Sequence, residues 1–366
     1  MTRIFFLSSI VLLVELFTWV LARGLCWWVA PYLTVNKKVL TIALFILSHV
    51  MLGTLFIGKF RFGMGYLAIL WLFMLSTLMT LTLSFILNKV ASNFAHNAHV
   101  LRAVAVASFG TLIGLTLYNA YTPTVRHLSI TIDKPMAHPV KVALVSDLHL
   151  GTLFGSRQLY QLADILQRQQ VDALLMAGDI MDDDTHVYDE HNMKVAFEQV
   201  VQASGGKVYA SLGNHDLYNP EQRFAIASAI RATGTVLLDD KVTTTTLGGT
   251  TFNIVGRFDE HAEHRLPTAK LLEQVDSTLP TILLDHRPSE VDSNAKLAVD
   301  LQVSGHTHNG QIFPANFIVK ALNTVSYGHA KLGTMDVVVS SGLGFWGVPF
   351  RLGSQSEIWL IEIGGR

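Results

Sequence analysis

The chain holds a single cysteine, Cys26, in 366 residues. One cysteine forms no internal disulfide, so no disulfide framework carries the fold. Any bound metal must then be taken by His, Asp, Asn and Glu, and His is abundant at 15 copies. Charge is also scarce, at 15% of residues against about 25% in an average globular chain. Lys and Arg are not in surplus: the formal net charge is −1. That argues against a nucleic-acid partner, because such proteins carry a strong basic excess. Half the residues are hydrophobic and the mean hydropathy is +0.38, so part of the chain must avoid water.

That part is the N-terminal third. Four long apolar runs cover residues 4–22, 39–58, 64–87 and 103–121. Each is long enough to cross a bilayer core of about 30 Å at ~1.5 Å per residue. Basic residues punctuate them, and Trp27, Trp28, Tyr32, Tyr118 and Tyr121 lie near their ends, where interfacial aromatics are favoured. The first run is too long for the apolar core of a signal peptide and lacks a small-x-small cleavage site. A multi-pass protein of the inner (plasma) membrane is expected, with an all-α domain over 1–121 and a soluble domain over 122–366. With four spans, Arg3, Lys59, Arg61, Arg126 and Lys134 lie on one side and Arg23, Lys37, Lys38, Lys89 and Arg102 on the other. Five positive charges face five, and only the first span leans, towards an extracytoplasmic soluble domain. Glu15 and His49 fall inside spans; with no transport motif nearby, they read as an interhelical hydrogen bond or, for Glu15, a neutral carboxyl near the interface, rather than as a functional site.

From Thr122 onward short β-rich runs alternate with amphipathic stretches. Val142–Ser146 starts the first buried strand, and Ser156 is the expected N-cap of a helix through Leu159, Leu162, Ile165 and Leu166. Pro220 marks another helix start, and Gly248-Gly249 a hairpin turn. The pattern predicts an α/β sandwich with mixed sheets. Several strands end in metal-competent groups: Asp147 and His149, Asp179, Asn214 and His215, Asp285 and His286, His306 and His308. Ligands collect at the carboxyl ends of strands in α/β sheets, so these distant residues can converge.

The segments SDLHLG, AGDIMD, LGNHD, LLDHRP and SGHTHNGQI resemble, in order, the five signature blocks of the calcineurin-like metallophosphoesterases. The tail SSGLGFWGVPFRLGSQSEIWLIEI is similar to the end of that family's membrane-associated bacterial branch. The resemblance implies a calcineurin-like sandwich of mixed sheets flanked by helices, behind a four-span transmembrane domain. It also implies two divalent metal ions. Asp147, His149 and His308 would hold the first, Asn214, His286 and His306 the second, and Asp179 would bridge them. His215 would contact the phosphoryl group and assist the leaving oxygen.

Oxygen and imidazole donors suit Mn, Fe or Zn better than Mg or Ca, and paired ions activate a hydroxide for in-line attack on phosphorus. The expected activity is hydrolysis of a phosphoester or pyrophosphate bond in a phosphorylated small-molecule or lipid substrate. The alternative is a metal-binding membrane receptor or scaffold without turnover. Glycines 151, 178, 213 and 305 flank the ligands and permit close backbone approach. Asp216 is expected to orient an imidazole, and Asp182 to support the site. Arg287 faces substrate or forms a structural salt bridge. Arg351 and Glu357 read as structural. His186, His191, His261 and His264 read as surface histidines. Phe313, Phe317, Phe345 and Trp346 are candidates for gripping an apolar group from exposed loops, with core the preferred reading.

Overall fold

The computed structural model describes residues 2–90 and 98–366; the side chains of residues 2–10 and of Val90 lie outside the described ones, and with them Arg3 and the start of the 4–22 run. The chain divides into two compact units, Met1–Leu117 and Tyr118–Arg366.

The first unit is helical: α1 (Thr2–Val29), α2 (Lys37–Thr54), α3 (Phe60–Val90) and most of α4 (Ala98–Tyr121). All four are long and apolar enough to cross a membrane. Leu12, Ile42, Leu81 and Val106 are exposed, whereas the polar residues turn to one another. Thr18 Oγ1 lies 2.6 Å from Ser48 Oγ, and Ser76 Oγ donates to the Ala105 carbonyl at 2.9 Å. This apolar-out arrangement suits hydrocarbon, where an unpaired polar group costs several kcal/mol. His49 Nε2 lies 3.1 Å from Glu15 Oε1, which pairs α2 with α1. α2 ends at Thr54 rather than 58, because residues 55–58 turn through Gly58 at φ 70°.

The second unit is a sandwich of two six-stranded mixed sheets. The first contains β1 (Thr124–Ile132), β2 (Val140–Val145), β3 (Ala173–Ala177), β4 (Val208–Ser211), β5 (Val236–Leu237) and β12 (Glu357–Gly365), in the order β1-β12-β2-β3-β4-β5. The second contains β6 (Lys241–Leu247), β7 (Thr250–Gly256), β8 (Thr281–Leu284), β9 (Leu301–Ser304), β10 (Gly328–Leu332) and β11 (Met335–Val339), in the order β10-β11-β9-β8-β7-β6. Strands β2, β3, β4 and β5 run parallel, as do β7, β8, β9 and β11.

The period of two sorts β2 between layers. Val140, Val142 and Leu144 pack between the sheets with Leu175, Ile254, Leu284 and Val303. Ala143 and Val145 pack outward against Leu159, Leu162 and Leu166 of α5 (Ser156–Gln169) and Phe197 and Val200 of α6 (Lys194–Ala203). Fully buried side chains such as Leu144 each contribute about 1.5–3 kcal/mol of burial free energy. The N-cap of α5 is Gly155 rather than Ser156; the Gln158 side chain accepts from the Gly155 N–H at 3.0 Å, which fixes the helix start one residue early. α7 (Arg223–Arg231) begins three residues after Pro220, past a turn in which Gln222 N–H donates to the Asn219 carbonyl.

Candidate metal centre

Each chemistry-bearing block leaves the carboxyl end of a parallel strand. Asp147 and His149 follow β2, Asp179 follows β3, Asn214 and His215 follow β4, His286 follows β8, and His306 and His308 follow β9. Because β2, β3 and β4 are neighbours in one sheet and β8 and β9 in the other, these ends share one edge of the sandwich. Backbone bonds lock the loops together: Asp147 N–H donates to the Gly178 carbonyl and His149 N–H to the Asp179 carbonyl, both at 3.0 Å.

The side chains converge in three groups, one of which joins His149 to Asp182 and His215; the other two hold expected ligands. Asp147, His149 and His308 present ligand atoms within 4.8 Å of one another, and so do Asp179, His286 and His306. In the first group His149 Nε2 lies 3.3 Å from His308 Nε2, which lies 3.4 Å from Asp147 Oδ1. In the second, His286 Nε2 lies 3.2 Å from Asp179 Oδ2 and 3.2 Å from Asn214 Oδ1. Asp179 joins the two, with Oδ2 also 3.7 Å from His149 Nε2. Donors bonded to one ion at ~2.0–2.2 Å are separated by ~3–4 Å, so this donor set fits a pair of divalent ions. The His286 Nδ1–H donates to the Ala177 carbonyl at 2.7 Å, which turns Nε2 towards Asp179.

Close approach explains the glycines. A Cβ on Gly213 would lie 2.2 Å from Asp179 Oδ1, and one on Gly305 would lie 2.3 Å from Asp147 Oδ2. Gly151 is different: its nearest neighbour would be Asp182 at 3.4 Å, an ordinary contact. Five of the grouped residues hold left-handed backbone: Asp147 (φ 52°), His149 (47°), Asp179 (52°), His306 (69°) and His308 (48°). Such positions cost of order 1–3 kcal/mol each and persist only where surrounding structure enforces them.

The electrostatics hold Asp179, His306 and His308 in ligand form, whereas burial raises the Asp147 carboxyl. Burial pushes the Asp179 carboxyl up, but His286, His149 and His215 outweigh it and hold the group well below its ordinary range. Burial, with the charge of His286, brings His306 down to about 3. Burial, with His149 and Arg351, also depresses His308. Neutral imidazole and ionised carboxylate are the forms that bind metal. Burial likewise opposes the His286 imidazolium, yet Asp179 and Asp147 raise its pKa to about 10, so an arriving cation displaces a proton there.

Several neighbours take roles other than those expected. Asp216 does not touch an imidazole; it accepts from the N–H groups of Ile180, Met181 and Gly213 and so fixes the turns beside Asp179 and Asn214. His215 is oriented instead by Asp183, whose Oδ1 lies 2.7 Å from Nδ1. Burial works against charging His215, but the Asp183 hydrogen bond and Asp179 raise its pKa overall. Asp182 Oδ1 lies 3.5 Å from His149 Nδ1. Asp285 turns away from the site into Arg257 and Arg265. Arg287 pairs with Asp259 at 2.6 Å, the salt-bridge alternative. Arg351 is fully buried, donates to the carbonyls of Ser341 and Gly344, and lies 3.2 Å from His308 Nδ1. Glu357, also buried, accepts from Ser341 N–H and Trp359 Nε1–H.

A cleft of about 380 Å³ opens over the groups, walled by Tyr218, Thr307, Gln311, Ala315, Val319 and Trp346. The Tyr218 ring stands edge-on to His215 at 4.9 Å and to His261 at 4.7 Å, so exposed His261 sits at the cleft's rim. Gln311 accepts from Trp346 N–H and donates to the Trp346 carbonyl, both at 2.9 Å. Phe345 is core, at 3% exposed, but Phe313, Phe317 and Trp346 are 37%, 62% and 36% exposed. Trp346 is exposed because it walls the cleft.

A family profile for calcineurin-like phosphoesterases matches residues 140–310. Residues 140–310 therefore form a calcineurin-like phosphoesterase domain. It is 32% identical over 247 residues to an uncharacterized metallophosphoesterase of Helicobacter pylori strain J99, covering 66% of this chain and 64% of that one. It is 30% identical over 276 residues to a transmembrane protein with metallophosphoesterase domain of Bos taurus, covering 70% and 60%. The chain thus spans less than two thirds of either relative, and the likeness extends beyond the bacterial branch expected. The crystal structure of TT1561 of Thermus thermophilus is similar to this chain with a TM-score of 0.39 at 15% identity, over 57% of this chain and 92% of that one.

Proposed function

We propose that the chain is a membrane-anchored, dinuclear-metal phosphoesterase, with residues 1–121 as anchor and 122–366 as the catalytic domain. The observation that carries this reading is the pair of donor groups sharing Asp179. Asp147, His149 and His308 would hold one ion, Asn214, His286 and His306 the other, and Asp179 both. Mn, Fe or Zn suits these donors. When bound, the ions supply a nucleophile from water and positive charge against the phosphoryl oxygens. The protein's own groups do the rest. Asp179 Oδ1 accepts from the His215 backbone N–H at 2.8 Å, which fixes His215 at the cleft. Asp183 holds the His215 Nδ1–H, leaving Nε2–H to protonate the departing oxygen. Tyr218 and Trp346 keep bulk water from one side of the cleft. The anchor favours a substrate held at the bilayer, such as a lipid phosphate or a nucleotide-linked lipid pyrophosphate, at the plasma membrane with the domain outside the cytoplasm.

The test uses the full chain in detergent micelles, stripped by chelator and reloaded with Mn, Fe or Zn. A diester, a monoester and a lipid pyrophosphate are then offered. Metal-dependent turnover of at least one is expected, abolished by His306→Ala. Tight metal binding with no turnover on any of them would overturn the enzymatic reading in favour of a receptor.

A further inference from the structure

One helix of the phosphoesterase domain is apolar on the wrong side for a protein in water. α8 (Ala315–Leu322) has no buried residue. Ala315 and Val319 turn to the cleft. Ile318 and Leu322, four residues apart on one face, and the neighbouring Phe317 are 59%, 76% and 62% exposed. Phe313 extends the stripe, its ring edge-on to Phe317 at 5.8 Å. Each such side chain forgoes burial free energy by staying in water, and a contiguous patch of this kind marks an interaction surface.

The root of α8 indicates what covers it. Phe313 N–H donates to the Leu352 carbonyl at 2.6 Å, and Leu352 N–H to the Gln311 carbonyl at 2.9 Å. The carbonyl of Arg351, next in the chain, accepts from Asn119 Nδ2 at 3.1 Å. Ser356 N–H donates to the Asn119 carbonyl at 2.8 Å. Asn119 lies in the last turn of α4, the fourth long apolar helix, which ends at Tyr121 just before β1 opens at Thr124. One short segment, Arg351–Leu352, therefore grips the end of the last apolar helix and the start of α8 together.

We infer that α8 is an interfacial helix, its Phe317, Ile318 and Leu322 stripe seated at the headgroup–acyl boundary of the bilayer that α1–α4 cross. This rests on the membrane anchoring proposed above. A tether of two residues holds the domain at high effective concentration near the lipid, so a stripe too small to bind a membrane alone suffices. Exposed Lys320 can extend its ammonium towards lipid phosphates. Because Ala315 and Val319 of the same helix wall the cleft, a phosphate at headgroup depth would reach the site without its acyl chains leaving the bilayer.

The full chain, reconstituted in phosphatidylethanolamine–phosphatidylglycerol vesicles, tests this. In a Cys26→Ala background, spin labels go singly at Phe317, Ile318 or Leu322, with controls at Val195 and Phe224, which are also exposed in this domain. The stripe labels should collide more with dissolved oxygen than with a water-soluble nickel chelate, and the controls the reverse. Stripe labels that behave like the controls overturn the inference, and so do labels shielded from both reagents, which would indicate a protein partner or second copy. A photo-crosslinker at Ile318 in the chain with native Cys26 gives an independent readout, with a lipid adduct expected and an adduct to a second copy contradicting it. The outcomes separate the two readings: an inactive protein with lipid-facing α8 overturns only the catalysis, and an active one with water-facing α8 overturns only this inference.

Discussion

Asp179→Asn is the sharpest perturbation of the site. The amide keeps the carboxylate's shape and leaves Oδ1 to accept from His215 N–H, at 2.8 Å in the native chain, so the β4 loop stays in place. The change falls on the Oδ2 side, which faces His286 Nε2 at 3.2 Å and His149 Nε2 at 3.7 Å. There an amide NH2 is a donor confronting imidazole nitrogens that must present lone pairs to the ions. The same substitution removes the one charge shared by both groups. Losing even ~4 kcal/mol of the several that paired ions supply to the transition state lowers turnover about 10³-fold. The assay is elemental analysis of the purified full chain beside hydrolysis of a chromogenic phosphodiester. The expectation is fewer than about one bound ion per chain and turnover down at least ~10³-fold. Retention of both ions with turnover within about tenfold of the native protein would refute the bridging role.

Asp183→Asn keeps an acceptor for the His215 Nδ1–H but removes the negative charge that helps raise the His215 pKa; the acid form then persists only to a lower pH, so the alkaline limb of kcat/KM shifts down, and an unmoved limb contradicts the assignment. Gly305→Ala places a methyl 2.3 Å from Asp147 Oδ2, and overpacking of this kind costs about 1–3 kcal/mol; ion content measured after purification should fall, most at the group containing Asp147. Asp285→Asn uncouples a fully buried carboxylate from Arg257 and Arg265 and should destabilise by about 3–5 kcal/mol while leaving ion content intact, a split that thermal unfolding and elemental analysis read directly. Chelation should lower the unfolding temperature: an ion present at 100 times its Kd contributes about 2.7 kcal/mol, or ~5–11 °C for a domain of this size, and no shift on chelation would separate the ions from the fold.

The succession of strands along the chain and the convergence of the blocks were legible because they depend on two simple patterns. Apolar runs ending in polar residues give the strands, and parallel strands bring their carboxyl ends to one edge. The parity of β8 extends past its end. Leu284 packs between the sheets and Leu283 outside them, and His286 and Asp285 follow the same parity, one towards Asp179 and the other towards Arg257. What the sequence hid lies in loops. Asp216 follows His215 directly and was the natural partner for its ring, yet Asp183 takes that place across the cleft because the Asp216 side chain is committed to three backbone donors. Composition also misled on the aromatics. Phe317 has the hydrophobicity of a core residue, but the eight-residue helix that carries it walls a cleft and has no buried residue.

The left-handed backbone at five of the grouped residues ties these threads together. None of Asp147, His149, Asp179, His306 and His308 is glycine, and each holds φ between 47° and 69°. At a solvated strand end the same residues would relax, and the strain of ~1–3 kcal/mol apiece would vanish. They are held by the bonds between loops, His306 N–H to Asp147 Oδ1 at 3.0 Å and His149 N–H to Asp179 O at 3.0 Å, and those bonds form only when β2, β3 and β9 are all in place. Glycines at 213 and 305, which would give freedom of movement elsewhere, here allow carboxylates to press against the backbone. The centre is therefore preorganised by the sandwich before any ion arrives, and the ions enter a geometry whose conformational cost folding has already met.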